Sequence, residues 1–154
     1  MSVFKKFDHI DIIVKDLEKA VEYWQKLGPE VRRTSHLGGS VEFSVGDIVI
    51  ELHEASDRKL GTDHISFLVE GGLKELKAKR QELIDKGCEC KRINYVAATS
   101  KYLFSFTDLE GYRLQACTIV LPDALEEAES LGLAFHDPNP ERHERGLKFI
   151  NEKI

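Results

Sequence analysis

Residues 7–14 read FDHIDIIV and residues 62–69 read TDHISFLV. Four of the eight positions agree, and the shared Asp-His-Ile stands in the same register. Self-similarity at this spacing signals two copies of one supersecondary unit. Each copy alternates apolar and other residues with period two, which predicts a β-strand. In the first, Ile10, Ile12 and Val14 share one face, with His9, Asp11 and Ile13 on the other. In the second, Ile65, Phe67 and Val69 oppose His64, Ser66 and Leu68.

The segment after each strand also repeats. DLEKAVEYWQKLG at 16–28 carries Leu17, Val21, Trp24 and Leu27 at helical spacing, with Asp16 placed to cap the start and Gly28 to end it. GGLKELKAKRQELIDKG at 71–87 carries Leu73, Leu76, Leu83 and Ile84, and ends at Gly87. Arg80 interrupts that second stripe, which predicts a half-exposed helix. Strand-like runs come next in both halves: EVRRTS, VEFSV and IVIELHE in the first, CECKRINY, KYLFSF and YRLQAC in the second. Each half is therefore expected to be βαβββ. The expected class is α+β: two such modules (about 5–55 and 61–118) forming a curved mixed sheet around a central cavity. They make one domain over 1–120, with the repeat boundary at 56–61. An acidic extension occupies 121–154, with a helix expected from Asp123 to Leu131.

Bulk properties narrow the function. Of 154 residues, 42% are hydrophobic and 32% charged, a globular rather than a disordered balance. Net charge is −5, and eight acidic against four basic residues from Thr118 onward account for −4 of it. Nucleic acid is an unsuitable partner, since phosphate binding needs clustered Lys and Arg. No apolar run reaches the ~18 residues of a membrane span, and no apolar segment suited to a secretion signal comes after Met1. Three cysteines (Cys88, Cys90 and Cys117) make an odd count without a CxxC pair, which fits a reducing, cytoplasmic setting.

The period-two reading extends to the last strand of each half. Val49, Glu51 and His53 share a face, and so do Arg113, Gln115 and Cys117. Each half thus offers two metal-competent side chains on the face its helix does not cover: His9 with Glu51, and His64 with Gln115. Two imidazoles, a carboxylate and an amide oxygen suit Zn, Ni, Co, Mn or Fe. A single His beside an Asp on a strand is more often structural, and Gln115 alone carries no signal; repetition is what favours a site. His36, His136 and His143 fit no ligand spacing. Cys117, two residues after Gln115, reads as a packed thiol before a reactive one.

DHIDIIVKDLEKAVEYWQKLG, VIELHE, GTDHISFLV and DLEGYRLQ, in that order, resemble the landmarks of the vicinal oxygen chelate superfamily. That superfamily includes glyoxalase I, methylmalonyl-CoA epimerase, extradiol dioxygenases, fosfomycin-resistance enzymes and bleomycin-binding proteins. The resemblance implies one divalent metal held by His9, Glu51, His64 and Gln115. It further implies a small-molecule substrate, a homodimer, and a lyase or isomerase acting on a 2-oxo or 2-hydroxy compound or thioester through an enediolate-type intermediate. Glu51, the sole carboxylate of the four, is then the catalytic base. Two departures stand out. The eighth-strand ligand of the superfamily is normally Glu, and here it is Gln115; this breaks the ligand triad of the dioxygenases and the pattern of the fosfomycin enzymes. Where glyoxalase I has Arg and Asn for glutathione, Ile13 and Ala55 stand, which argues against lactoylglutathione lyase. The competing reading is a metal-free drug- or metabolite-binding protein lined by aromatics such as Tyr102, Phe104 and Phe106.

Overall fold

A computed structural model of the chain describes residues 2–27, 30–35, 40–55, 59–97 and 99–135. The elements run β1 (Lys6–Val14), α1 (Leu17–Gln25), β2 (Glu30–Ser35), β3 (Ser40–Val45), β4 (Ile48–Glu54), β5 (Gly61–Val69), α2 (Leu73–Asp85), β6 (Asn94–Val96), β7 (Lys101–Thr107) and β8 (Arg113–Thr118). A 3-10 turn (Pro122–Ala124), α3 (Leu125–Ser130) and β9 (Ala134–Phe135) complete them. The class is α+β, with the βαβββ order present twice. Among the described residues, 9–63 form one compact unit, and 2–8 with 64–135 form another. Part of the expected boundary at 56–61, and Gly28, His36, His136 and His143, lie outside the described residues.

In the first unit the strand order is β2-β3-β4-β1, with β1 parallel to β4 and the other neighbours antiparallel. Asp16 has extended backbone, and its carboxylate accepts from the Lys19 amide at 3.1 Å, which starts α1. Leu17 and Val21 bury against Val41, Phe43 and Leu52, with Ile12, Val14, Trp24 and Ile50 at the margin. Trp24 stacks on Phe43, centroids 6.3 Å apart. The expected stripe holds except at Leu27. That residue lies past the end of α1 and is 66% exposed.

The second unit orders its strands β5-β8-β7-β6-β9, with β5 parallel to β8 and β9 parallel to β6. Leu73, Leu76 and Leu83 of α2 pack on Val69, Tyr95, Tyr102, Phe104, Phe106 and Ala116. Ile84, expected on that stripe, is exposed instead. Gly71 precedes the helix at φ +134, where a Cβ would lie 2.6 Å from the Glu75 side chain. That side chain accepts from the Gly72 amide at 2.9 Å. Arg80 interrupts the stripe because its guanidinium has a different task. It donates to the carbonyls of Lys91 (2.7 Å) and Cys90 (3.1 Å), tying α2 to the chain leading into β6.

The segment beyond β8 packs on this same unit. Tyr95 Oη donates to the Leu121 carbonyl and Tyr102 Oη to Glu127 Oε2, each at 2.8 Å. Ala128 is fully buried, and the Tyr95 amide donates to the Leu133 carbonyl at 2.7 Å where β9 joins β6. The helix expected over 123–131 is a 3-10 turn continued by α3. At the other end of the chain, Phe4 stacks on Phe67, centroids 4.7 Å apart, and lies 6.2 Å from Phe106.

Candidate metal centre

Strand register decides which side chains share a face. In the first unit Asp11 pairs with Glu51 and Ile13 with His53 across β1 and β4. Glu42 pairs with Glu51 and Ser40 with His53 across β3 and β4. Partners at one register position point the same way. His9, Asp11, Ser40, Glu42, Glu51 and His53 therefore occupy the face opposite the α1-packed residues. All are buried except His53, which is intermediate.

Their polar atoms interlock. His9 Nε2 lies 3.4 Å from Glu51 Oε2, while Glu51 Oε1 accepts from Ser40 Oγ at 2.6 Å. His53 Nδ1 is 2.8 Å from Asp11 Oδ2 and 3.7 Å from Glu51 Oε1. Within this unit the ligand atoms of His9, Glu42 and Glu51 lie within 4.8 Å of one another, and so do those of Asp11, Glu51 and His53. Imidazole nitrogens with carboxylate oxygens at this spacing suit a divalent cation, so the donor chemistry fits a metal. His9 and Glu51 thus lie side by side. Ser40, Glu42 and His53 are additions to the expected set. The spacing Glu51-x-His53 carried the signal for the third, whereas the alternation of SVEFSV sets Ser40 and Glu42 on one face of β3 without matching that face to Glu51.

The second unit repeats the arrangement with Ser, Gln and Cys in place of Asp, Glu and His. Ser66 pairs with Gln115 and Leu68 with Cys117, so His64, Ser66, Gln115 and Cys117 share a face. All four are buried. Ser66 Oγ donates to Gln115 Oε1 at 3.2 Å and sits 3.4 Å from Cys117 Sγ. Behind them Lys101 Nζ lies 2.9 Å from both carboxylate oxygens of Asp8 and 4.0 Å from Cys117 Sγ. Burial first, and then the Asp8 charge, push the Cys117 thiol up to about 12, against the opposing pull of Lys101 and Ser66. The thiol stays protonated, and the packed reading is the right one.

Position by position the units correspond: Asp11 to Ser66, Glu51 to Gln115, and His53 to Cys117. The aromatic lining expected of Tyr102, Phe104 and Phe106 is not found. Leu103 and Ser105 share the Gln115 face, and the three aromatics alternate onto the other one, in the core beneath α2.

Residues 6–116 match the model of the Glyoxalase/Bleomycin resistance protein/Dioxygenase superfamily. The chain belongs to this superfamily. Solved structures with the same fold include Streptomyces coelicolor methylmalonyl-CoA epimerase in complex with 2-nitronate-propionyl-CoA. It is 20% identical with a TM-score of 0.62, over 75% of this chain and 97% of that one. The Mn(II)-bound glyoxalase from Novosphingobium aromaticivorans is 17% identical, TM-score 0.60, over 79% of this chain and 41% of that one. An extradiol ring-cleaving dioxygenase from B. fuscum is 13% identical, TM-score 0.56, over 73% and 32% respectively. The chain thus spans less than half the length of the latter two. No curated protein matches the chain by sequence. Three different activities on one superfamily scaffold mean that the fold does not select among them; the site must. Among the described residues no helix is long and apolar enough to cross a membrane.

Proposed function

We propose that this superfamily member is a metal-dependent lyase or isomerase of the glyoxalase I-like type. Its substrate is a small 2-oxo or 2-hydroxy compound or its thioester. His9, Glu51, His64 and Gln115 supply the ligands of one divalent metal, Zn, Ni, Co, Mn or Fe. The observation that carries the reading is the environment of Glu51. This buried carboxylate has one oxygen held by Ser40 at 2.6 Å and the other 3.4 Å from His9. A metal held by these residues would polarise a substrate carbonyl and so acidify the neighbouring C–H. Glu51 removes that proton and returns it. His9, His64 and Gln115 bring no negative charge to the site, and Ser40 keeps Glu51 in place while it trades its proton.

Exchange of solvent deuterium into the substrate, monitored by NMR, tests this directly. Glu51→Gln is expected to lower turnover by roughly 10²–10⁴-fold, while metal content falls less than in His9→Ala. Full turnover in Glu51→Gln would move the base elsewhere. The rival reading, a metal-free binding protein, loses its aromatic lining to the α2 core. Metal analysis of the purified protein separates the two. We further propose a cytoplasmic homodimer with no nucleic-acid or membrane partner.

A further inference from the structure

We infer that the second unit carries an anion-binding groove that takes a small aliphatic phosphate monoester and uses none of the candidate metal ligands. The groove has a volume of about 510 Å³ and runs between α2, the chain entering β6 and the connection from α3 to β9. Cavities of roughly 300–1,000 Å³ hold small molecules. It lies on the α2 side of the second unit, opposite the face of His64 and Gln115.

The lining is divided by chemistry. Lys77 and Arg80 of α2 and Arg92 ahead of β6 bring three positive charges, and among the described residues no acidic one lines the groove. The chain as a whole carries −5, so this cluster runs against its balance. Ile93, Leu131 and Leu133 form an apolar wall. Ile93 is buried, whereas Leu131 is 51% exposed and open to cover by a ligand. No aromatic ring is among the described lining residues, which suits an aliphatic body rather than a stacked base.

Both arginines are held in place beforehand. Arg80 Nε and Nη2 donate to the carbonyls of Lys91 and Cys90 at 2.7 and 3.1 Å, and Arg92 Nη2 donates to the Gly132 carbonyl at 2.7 Å. Neutral carbonyls fix the guanidinium groups without cancelling their charge. Each guanidinium has about five N–H donors, so donors remain for a ligand, and side chains ordered in advance lose less entropy on binding. The acidic groups of α2 are engaged elsewhere: Glu82 with Lys79 at 2.9 Å, Asp85 with Gln81 at 2.8 Å and Glu75 with the Gly72 amide at 2.9 Å. A phosphate dianion matches three cations better than a single carboxylate does.

Titration calorimetry on the full chain stripped of metal tests the groove, with hexyl phosphate, inorganic phosphate and hexanoate as probes. Hexyl phosphate is expected to bind about tenfold more tightly than either of the others. Lys77→Gln and Arg92→Gln should each weaken it about tenfold. Leu131→Ser should weaken hexyl phosphate and leave inorganic phosphate unchanged. Lys74→Gln, on the same helix but outside the groove, should leave all three as they are. These four side chains are exposed, so the substitutions spare the core. An equal loss in Lys74→Gln would reduce the binding to a diffuse surface field and overturn the inference. Failure of hexyl phosphate to bind at millimolar concentration, hexanoate binding as tightly, or no effect of Leu131→Ser would overturn it too.

Discussion

Replacing Gln115 with Glu puts a carboxylate where Ser66 already offers a donor, 3.2 Å from the present amide oxygen. The new group is stabilised by that hydrogen bond and restores the ligand that the superfamily resemblance leads one to expect. Gln115→Glu should therefore keep or raise turnover in the deuterium-exchange assay; a loss greater than tenfold would show that the amide is required. Two residues on, Cys117 shapes behaviour in alkali. Its folded thiol is held at about 12 against an ordinary 9.0. The unfolded chain releases that proton first, so the contribution to stability is complete below pH 9 and declines as pH rises toward 12. Urea unfolding between pH 8 and 10 should show a downward slope that Cys117→Val makes shallower. An unchanged slope would mean that another group, such as the phenol of Tyr102, which burial also raises, controls that limb.

Among the elements, the β1 and β5 repeat, both long helices and the βαβββ order are legible in the sequence because each has a strong period. Period two places His9 with Glu51 and His64 with Gln115 on the faces where they are found. Other features depend on pairing rather than on any one strand. Whether Tyr102, Phe104 and Phe106 face Gln115 or α2 is set by the β7–β8 register, which a one-residue slip would invert. Glu42 is hidden for the same reason: on its own strand it is one acidic residue, and only the β3–β4 register sets it against Glu51. The two-residue β9 and the six-residue α3 are too short for a periodic signal. They are held by contacts distant in sequence, through Tyr95 and Tyr102. Ending the chain after Val120 removes both elements. It uncovers the site of Ala128 and strips the phenol of Tyr102 of its Glu127 acceptor. We expect this shortened chain to lose most of its cooperative urea unfolding by circular dichroism; a transition like that of the full chain would make the segment dispensable.

For the molecule as a whole, the proposed homodimer would draw on a sheet edge. The terminal strand β2 presents one, and unprotected edges invite pairing. A homodimer predicts twice the monomer mass of 17.5 kDa by light scattering at micromolar concentration. A monomer mass across that range would exclude it.

The stacking of Phe4 on Phe67 and its approach to Phe106 carry a consequence for synthesis. At roughly 5–20 residues per second, a ribosome needs about 5–20 s to travel the distance from Phe4 to Phe106. Throughout that interval Phe4 has no finished surface to rest on, although the whole first unit is made within it. Residues made ahead of the first unit thus belong to the unit completed last. Substituting slow codons between 64 and 106 would lengthen the exposure, and chaperone dependence or aggregation in the cell should grow with the delay.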